Sequence, residues 1–267
     1  MKHLKEYLFE SILDTDDETI DNNMLQYSIE TETGWTLSSD GKYILSGTKH
    51  FPAEVDTQFG KNKEWFEKLV NCAKKYKLKI QPFGLLVLDS DSIHLLEGTD
   101  IEYICDLKIQ CKSDPINIDL SKIKSPIHRL SIVDSDSNLG IKSITLPKSD
   151  VKTATINISS MWVGGLENIK NQNCENLIVL DSHSSIWNVK YPDNIRLQQL
   201  VNNNPNVTNF YLKQSINGKT KYYQIKLKGS SVDKVLHKTE VFLTNKGILE
   251  DFYTKNGDYK QWYEKHM

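Results

Sequence analysis

The chain has almost no arginine. Its 267 residues include 33 lysines and arginines, of which only Arg129 and Arg196 are arginines. The planar guanidinium reads phosphates and base edges through paired hydrogen bonds, so its scarcity counts against a nucleic-acid binder. The formal net charge of -2 also gives the chain no general attraction to polyanions or acidic lipids. We therefore expect neither nucleic acid nor a membrane among its partners.

Paired cysteines and long apolar runs are missing as well. The four cysteines show no C-x-x-C spacing, which predicts buried, reduced thiols; they are Cys72, Cys105, Cys111 and Cys174. Lys2 and Lys5 are not followed by the apolar run of a secretory signal, and no stretch of 18 apolar residues occurs. The composition predicts a soluble protein made in a cytoplasm.

Catalytic and metal-binding motifs are lacking too. The histidines show no H-E-x-x-H spacing, and Asp181, His183 and Ser184 have no nucleophile elbow beside them. Three Asp-Ser stretches invite a cation or sugar site, but turn chemistry explains the same residue types; they are 89–92, 134–137 and 181–184. We predict no enzyme activity, no cofactor and no metal.

What the chain does have is a recurring pattern, apolar-x-x-apolar-x-apolar-x-x-Ser, in six copies, of which the one that begins at Ile104 has Lys112 in place of the Ser. The copies begin at Pro82, Ile104, Ile127, Val151, Cys174 and Val207, and their starts are 22, 23, 24, 23 and 33 residues apart. Such a period predicts one supersecondary unit per copy that buries its apolar edge by stacking on its neighbours. The first, fourth and sixth positions are predicted to point inward, which makes Pro82, Leu85 and Val87 the inward residues of the first copy.

The copies resemble irregular leucine-rich repeats of the bacterial surface-antigen-like type, with Ser in place of the family's Asn. NCENLIVLDS at 173–182 and NPNVTNFYLKQS at 204–215 are the most similar segments. The resemblance implies an α/β fold, a leucine-rich-repeat-like solenoid with short parallel strands. The alternative is an ordinary antiparallel sheet protein whose strands happen to be regularly spaced.

The segments around the repeats predict two caps. A short hairpin at 35–45 and a helix capped by Asn62, with Phe66, Leu69, Val70, Ala73 and Lys77 on its buried face, make an N-terminal α+β cap. A helical turn is expected at 196–201, a hairpin closed by Asn217-Gly218 after it, and two or three short helices over 232–267. The predicted units are 1–33 (amphipathic helix and acidic linker), 34–81 (N-terminal cap), 82–215 (solenoid) and 216–267 (C-terminal hairpin and helical cap).

The strand face opposite the apolar positions is the predicted binding surface. Its hydroxyl, amide, charged and aliphatic groups suit a protein partner, and the alternative is a face that is merely solvated or covered by the caps. The candidate partner-binding residues are Lys108, Arg129, Ser131, Asp134, Thr155, Asn157, Asp181 and Tyr211.

The first eleven residues, MKHLKEYLFES, resemble the capsid-targeting leader of T-even-like phage internal head proteins. The resemblance implies packaging into the virion and cleavage after Glu10 in Leu8-Phe9-Glu10, leaving Ser11 as the new first residue. The apolar helical face of Leu4, Tyr7, Leu8 and Ile12 would contact a capsid or scaffold. The alternative is an ordinary N-terminal helix that docks on the cap.

These observations predict a non-enzymatic protein-interaction module. The resemblance of the leader makes it a phage protein, present in the cytoplasm of the infected bacterial host and in the virion. Two alternatives remain: a virion-surface or cell-surface adhesion protein, and an inhibitor of a host enzyme that is delivered with the DNA.

Overall fold

A computed structural model describes ten stretches of the chain: residues 22–47, 52–111, 116–134, 141–148, 151–158, 169–181, 193–216, 219–228, 231–237 and 259–267. These stretches form an α/β structure in which sheet dominates. The predicted leader residues Leu4, Tyr7, Leu8, Glu10 and Ser11 lie outside the described residues.

Four helices and a 3₁₀ helix accompany the strands in the described part of the chain. The helices are α1 (Asn22–Thr33), α2 (Gly60–Tyr76), α3 (Asp193–Asn203) and α4 (Tyr259–His266), and the 3₁₀ helix is Ser90–Leu96. The strands are β1 (Thr36–Leu37), β2 (Tyr43–Leu45), β3 (Ala53–Asp56), β4 (Lys79–Ile80), β5 (Phe83–Asp89), β6 (Ile104–Cys111), β7 (Ile116–Asp119), β8 (Ile127–Asp134), β9 (Ile141–Thr145), β10 (Val151–Ile158), β11 (Asn176–Asp181), β12 (Asn209–Ile216), β13 (Lys219–Lys228) and β14 (Ser231–His237).

The main sheet contains nine of the described strands, in the order β14-β13-β12-β11-β10-β8-β6-β5-β3. The seven strands from β3 to β12 are parallel and lie side by side in chain order, whereas β13 and β14 are antiparallel. Each of the six copies of the pattern therefore supplies one parallel strand, because its apolar positions need the same buried surface as those of its neighbours.

The inward positions of five copies were predicted correctly, as Ile104, Leu107 and Ile109 of β6 show: each is fully buried. The first copy is wrong by one residue. Phe83 pairs with Ile104, and Leu86 pairs with Leu107, so the core receives Phe83, Leu86 and Leu88. A shift of one residue exchanges the two faces of a strand, and the run of apolar residues over 85–88 concealed the alternation.

The leucine-rich-repeat interpretation is wrong. The main sheet has mixed orientation, since an antiparallel pair closes the parallel series. The connections between the parallel strands also differ from one another: they contain the 3₁₀ helix, then β7, then β9, and later α3. Among the described connections, those that contain β7 and β9 pair with each other and form a separate two-stranded sheet. The structure therefore supports the general α/β class and not the solenoid of that family.

The N-terminal region confirms the predicted hairpin and helix and corrects the helix cap. Strands β1 and β2 pair antiparallel, and β4 joins them in parallel. Helix α2 begins before Asn62, whose side chain donates instead to the backbone oxygen of Asp56 at 3.0 Å. Lys77 lies on no buried face: it is the exposed C-cap residue, with a left-handed φ of 55°. Helix α1 was not predicted.

The last helix of the C-terminal region packs on the N-terminal three-stranded sheet of β1, β2 and β4. The predicted hairpin is confirmed as β12 and β13, but residues 231–237 form strand β14 instead of a helix. Helix α4 packs on β2: Tyr259, Trp262 and Tyr263 form one apolar cluster with Leu45. The backbone N–H of Ser39 also donates to the carbonyl of His266 at 2.8 Å. This helix therefore covers the N-terminal three-stranded sheet and not the β14 edge of the main sheet.

Candidate functional site

The face of the main sheet opposite the apolar core carries polar residues in rows that run across the strands. We call this surface the front face. Backbone register aligns its first row, which is Asp106, Arg129, Thr153, Asn176 and Asn209. Two residues further along each strand lies its second row, Lys108, Ser131, Thr155, Ile178 and Tyr211. The parallel strands place equivalent positions about 4.8 Å apart, so each row is continuous.

The first row is held together by side-chain hydrogen bonds. Asn209 donates to Asn176 Oδ1 at 3.0 Å, and Asn176 donates to Thr153 Oγ1 at 3.4 Å. Gln224 of β13 extends the row by donating to Asn209 Oδ1 at 3.4 Å. Because each amide uses its neighbour's oxygen, these groups satisfy one another without an external partner. We infer a structural role for this part of the row.

The other part of the first row is an ion pair between Asp106 and Arg129. Arg129 Nη2 donates to Asp106 Oδ2, and the side chains of Arg129 and Asp106 are 14% and 13% exposed. Asp106 Oδ1 is buried and accepts no hydrogen bond. The pair neutralises both charges where water has little access, so it contributes little net field to the surface beside it.

The second row differs from the first, because three of its polar members, Lys108, Ser131 and Thr155, have no partner among the described residues. Neither the ammonium of Lys108 nor the hydroxyl of Ser131 bonds to any group in the part of the chain that the structure describes, although both are half-buried. Thr155 Oγ1 is buried and likewise has no hydrogen-bond partner among the described residues. The last two members of the row are buried, since Ile178 and Tyr211 are 1% and 4% exposed. Burial, and then the charge of Glu175, raise the pKa of the Tyr211 hydroxyl.

Four half-exposed residues of β6 and β8 form the accessible part of this surface. Lys108 aligns with Ser131, and Gln110 aligns with Val133. We call these four residues the β6–β8 patch. They occupy a rectangle of about 5 by 7 Å, given the spacing of neighbouring strands and of alternate residues. The patch presents an ammonium, an amide, a hydroxyl and one aliphatic side chain.

The candidate partner-binding residues are thus distributed over three environments. Lys108 and Ser131 are accessible, Arg129 is engaged with Asp106, and Thr155 and Tyr211 are buried. Asp134 and Asp181 align in register with Cys111 and Ile158, positions that alternate with the front face. The side chains of Asp134, Asn157 and Asp181 lie outside the described part of the structure.

Gln110 and Val133 were not among the predicted binding residues, although the same alternation that selected Lys108 places them beside it. Asp106 was missed as well. The sequence could have predicted its ion pair, because Asp106 and Arg129, one of only two arginines, occupy equivalent positions of successive copies.

The other chemical candidates have structural roles in the described residues. Asp89 is buried, accepts a hydrogen bond from Ser92, and has Lys63 Nζ at 3.8 Å, as expected for a turn. Burial raises the pKa of the Cys72, Cys105 and Cys174 thiols to about 12, which makes them unreactive. Within the described ranges, no group of three His, Cys, Asp or Glu side chains is placed to hold a metal ion. No described helix is long and apolar enough to cross a membrane.

Comparison with known proteins leaves the family open: no protein-family model, no curated protein and no solved structure matches the chain.

Proposed function

We propose that the protein is a non-enzymatic interaction module that binds a protein partner on the β6–β8 patch of its front face. One observation carries the proposal. Two adjacent rows of polar side chains share this face; the first row is bonded internally, whereas Lys108 and Ser131 of the second have no partner in the described structure. Polar groups that are half-buried and unpaired are available to a ligand at little desolvation cost.

The rigidity of the surface supports this proposal. The patch lies on central strands, with β5 on one side and β10 on the other. The inward residues Leu107, Ile109, Leu130 and Ile132 of the same strands are at most 1% exposed. A packed core fixes the spacing of the outward side chains, so a partner orders little of this surface when it binds.

A peptide-library selection on the full chain tests the proposal. The bait is the wild-type protein, and the bound peptides are then measured against Lys108→Glu/Ser131→Glu, which places two negative charges in the patch. The matched control is Lys68→Glu/Asn71→Glu on the exposed side of α2. We expect selected peptides that lose at least tenfold in affinity with the patch variant and keep their affinity with the control.

Three results would contradict the proposal. They are a selection that yields no binder, binders that the patch variant still holds, and a patch variant that melts far below both other proteins. In the last case the two positions maintain the fold instead of binding a partner.

We also propose that the first residues direct the protein into a phage particle. The support is the sequence Leu8-Phe9-Glu10-Ser11, which fits the cleavage rule of the leaders that it resembles. Mass spectrometry of purified particles should find a chain that begins at Ser11. A chain that keeps Met1, or the absence of the protein from particles, would refute this second proposal and leave the first unaffected.

A further inference from the structure

The charges around the β6–β8 patch indicate what kind of group it accepts. Lys108 supplies a positive charge that no described residue neutralises. The nearest carboxylates on the front face, among the described residues, are already engaged: Asp106 by Arg129, and Asp89 by Ser92 and Lys63. Among the described residues the positive charge of the patch is therefore unbalanced, and an anionic group is the complementary ligand.

The neutral members of the patch narrow this chemistry further. The Gln110 amide and the Ser131 hydroxyl can both donate hydrogen bonds. They occupy opposite corners of the rectangle, and each is adjacent to Lys108. Three donors around one point suit an oxygen anion, since a carboxylate accepts several charge-assisted hydrogen bonds at once.

The fourth member distinguishes a side chain from a free ion. Val133 is half-exposed beside Gln110 and offers aliphatic surface but no hydrogen bond. An inorganic anion gains nothing from that surface, whereas the methylene groups of a glutamate would cover it.

We propose that the β6–β8 patch binds a glutamate side chain of an acidic protein segment. The carboxylate pairs with Lys108 and accepts hydrogen bonds from Gln110 and Ser131, and its methylene groups lie on Val133. This inference rests on the proposed function and specifies the partner's chemistry at the same surface.

Fluorescence anisotropy tests the inference. The full-length protein is titrated into two rhodamine-labelled peptides, the glutamate peptide GEEEEG and the glutamine peptide GQQQQG. We expect the glutamate peptide to bind the full-length protein at least fivefold more tightly than the glutamine peptide. Lys108→Gln keeps most of the stem but removes the charge, and it should weaken binding of the glutamate peptide roughly fivefold. The matched control Lys68→Gln, an exposed lysine of α2, should leave binding unchanged.

Salt and phosphate provide two further comparisons. Raising the salt concentration from about 50 to about 500 mM should weaken binding by wild type more than binding by Lys108→Gln, because the ion pair is screened. Inorganic phosphate, compared with sodium chloride at equal ionic strength, should displace no peptide. Displacement would assign the patch to phosphate and overturn the glutamate inference.

Equal affinity for the two peptides would also overturn the inference, as would equal losses in Lys108→Gln and Lys68→Gln. These failures are distinguishable from failure of the proposed function. If library-selected peptides depend on the patch but contain no Glu or Asp, the interaction module stands and only the glutamate inference is wrong. If the selection shows no dependence on the patch, both are wrong.

Discussion

The C-terminal helix α4 should leave its position when a single aromatic ring is removed. Tyr259, Trp262 and Tyr263 are 0%, 7% and 2% exposed, and they pack in their own cluster on Leu45, separate from the main core. The ring of Tyr43 meets Trp262 edge-on, with 5.3 Å between ring centroids. The Tyr263 hydroxyl donates to the backbone oxygen of Ser46. Among the described residues, these aromatic side chains supply the buried apolar surface of the helix.

The free energy with which α4 docks on the protein can be worked out from the burial of its three aromatic rings. Three rings that bury about 200 Å² each, at about 25 cal/mol/Å², stabilise docking by about 15 kcal/mol. Ordering the eight residues of the helix, at about 1.5 kcal/mol each, opposes it by about 12 kcal/mol. The net docking free energy is then about 3 kcal/mol. Because Trp→Ala in a buried site costs about 3–5 kcal/mol, Trp262→Ala removes all of it.

The assay is hydrogen exchange followed by mass spectrometry on wild type, Trp262→Ala and Gln261→Ala. Gln261 is exposed on the same helix and serves as the matched control. In Trp262→Ala, the amides of 259–267 should lose their protection, and trypsin should cut at Lys260. Amides of the central strand β8 should keep theirs, since the two apolar clusters are separate. A variant whose α4 stays as protected as that of Gln261→Ala would refute this reasoning.

Three further predictions concern stability. Arg129→Met should destabilise the protein by about 3 kcal/mol in urea unfolding because it leaves Asp106 buried and unpaired, and the double variant with Asp106→Asn should lose less than the two single losses combined. Burial, and then the charge of Asp106, raise the pKa of the Cys105 thiol from 9.0 to about 12. The folded state keeps this proton when the unfolded state has lost it, so the contribution of Cys105 to the free energy of unfolding is full below about pH 9. It falls by about 1.4 kcal/mol per pH unit up to about pH 12. In urea unfolding between these pH values, the free energy of unfolding of Cys105→Ala should therefore fall less steeply with pH than that of wild type, by that amount. Gly98→Ala should cost about 1 kcal/mol in thermal unfolding because the φ of Gly98 is +71°, whereas Gly47→Ala, which lacks a positive φ, should be nearly neutral; equal effects of the two would contradict this.

The sequence predicted elements whose cause is local. The apolar spacing of each copy located β5, β6, β8, β10, β11 and β12, because a strand buried on one face alternates whatever lies beyond it. The same is true of helix α2, whose Phe66, Leu69, Val70 and Ala73 share one buried face. The end of that helix was misjudged, since Lys77 fits the spacing but adopts the left-handed conformation that ends the helix.

The candidate site was predictable only in part. Alternation along the strand selected Lys108 and Ser131 for the front face, and both are accessible. It gave no means of separating them from Thr155 and Tyr211, which occupy equivalent positions but are buried. Burial depends on what lies above the sheet, and the residues of one strand do not encode it.

By itself, the sequence determined where six of the parallel strands run and, in five of those six, which residues point into the core. That information is local, because a period of two and a recurrence of about 23 residues depend only on neighbours along the chain and on the next copy. Only the tertiary structure decided the rest. It added β14 to the hairpin that ends the parallel series, packed α4 on β2, and paired Asp106 with Arg129 while leaving Lys108 without a partner among the described residues. These outcomes depend on which surfaces distant segments cover, since the free energy of burial is set by the whole packed molecule.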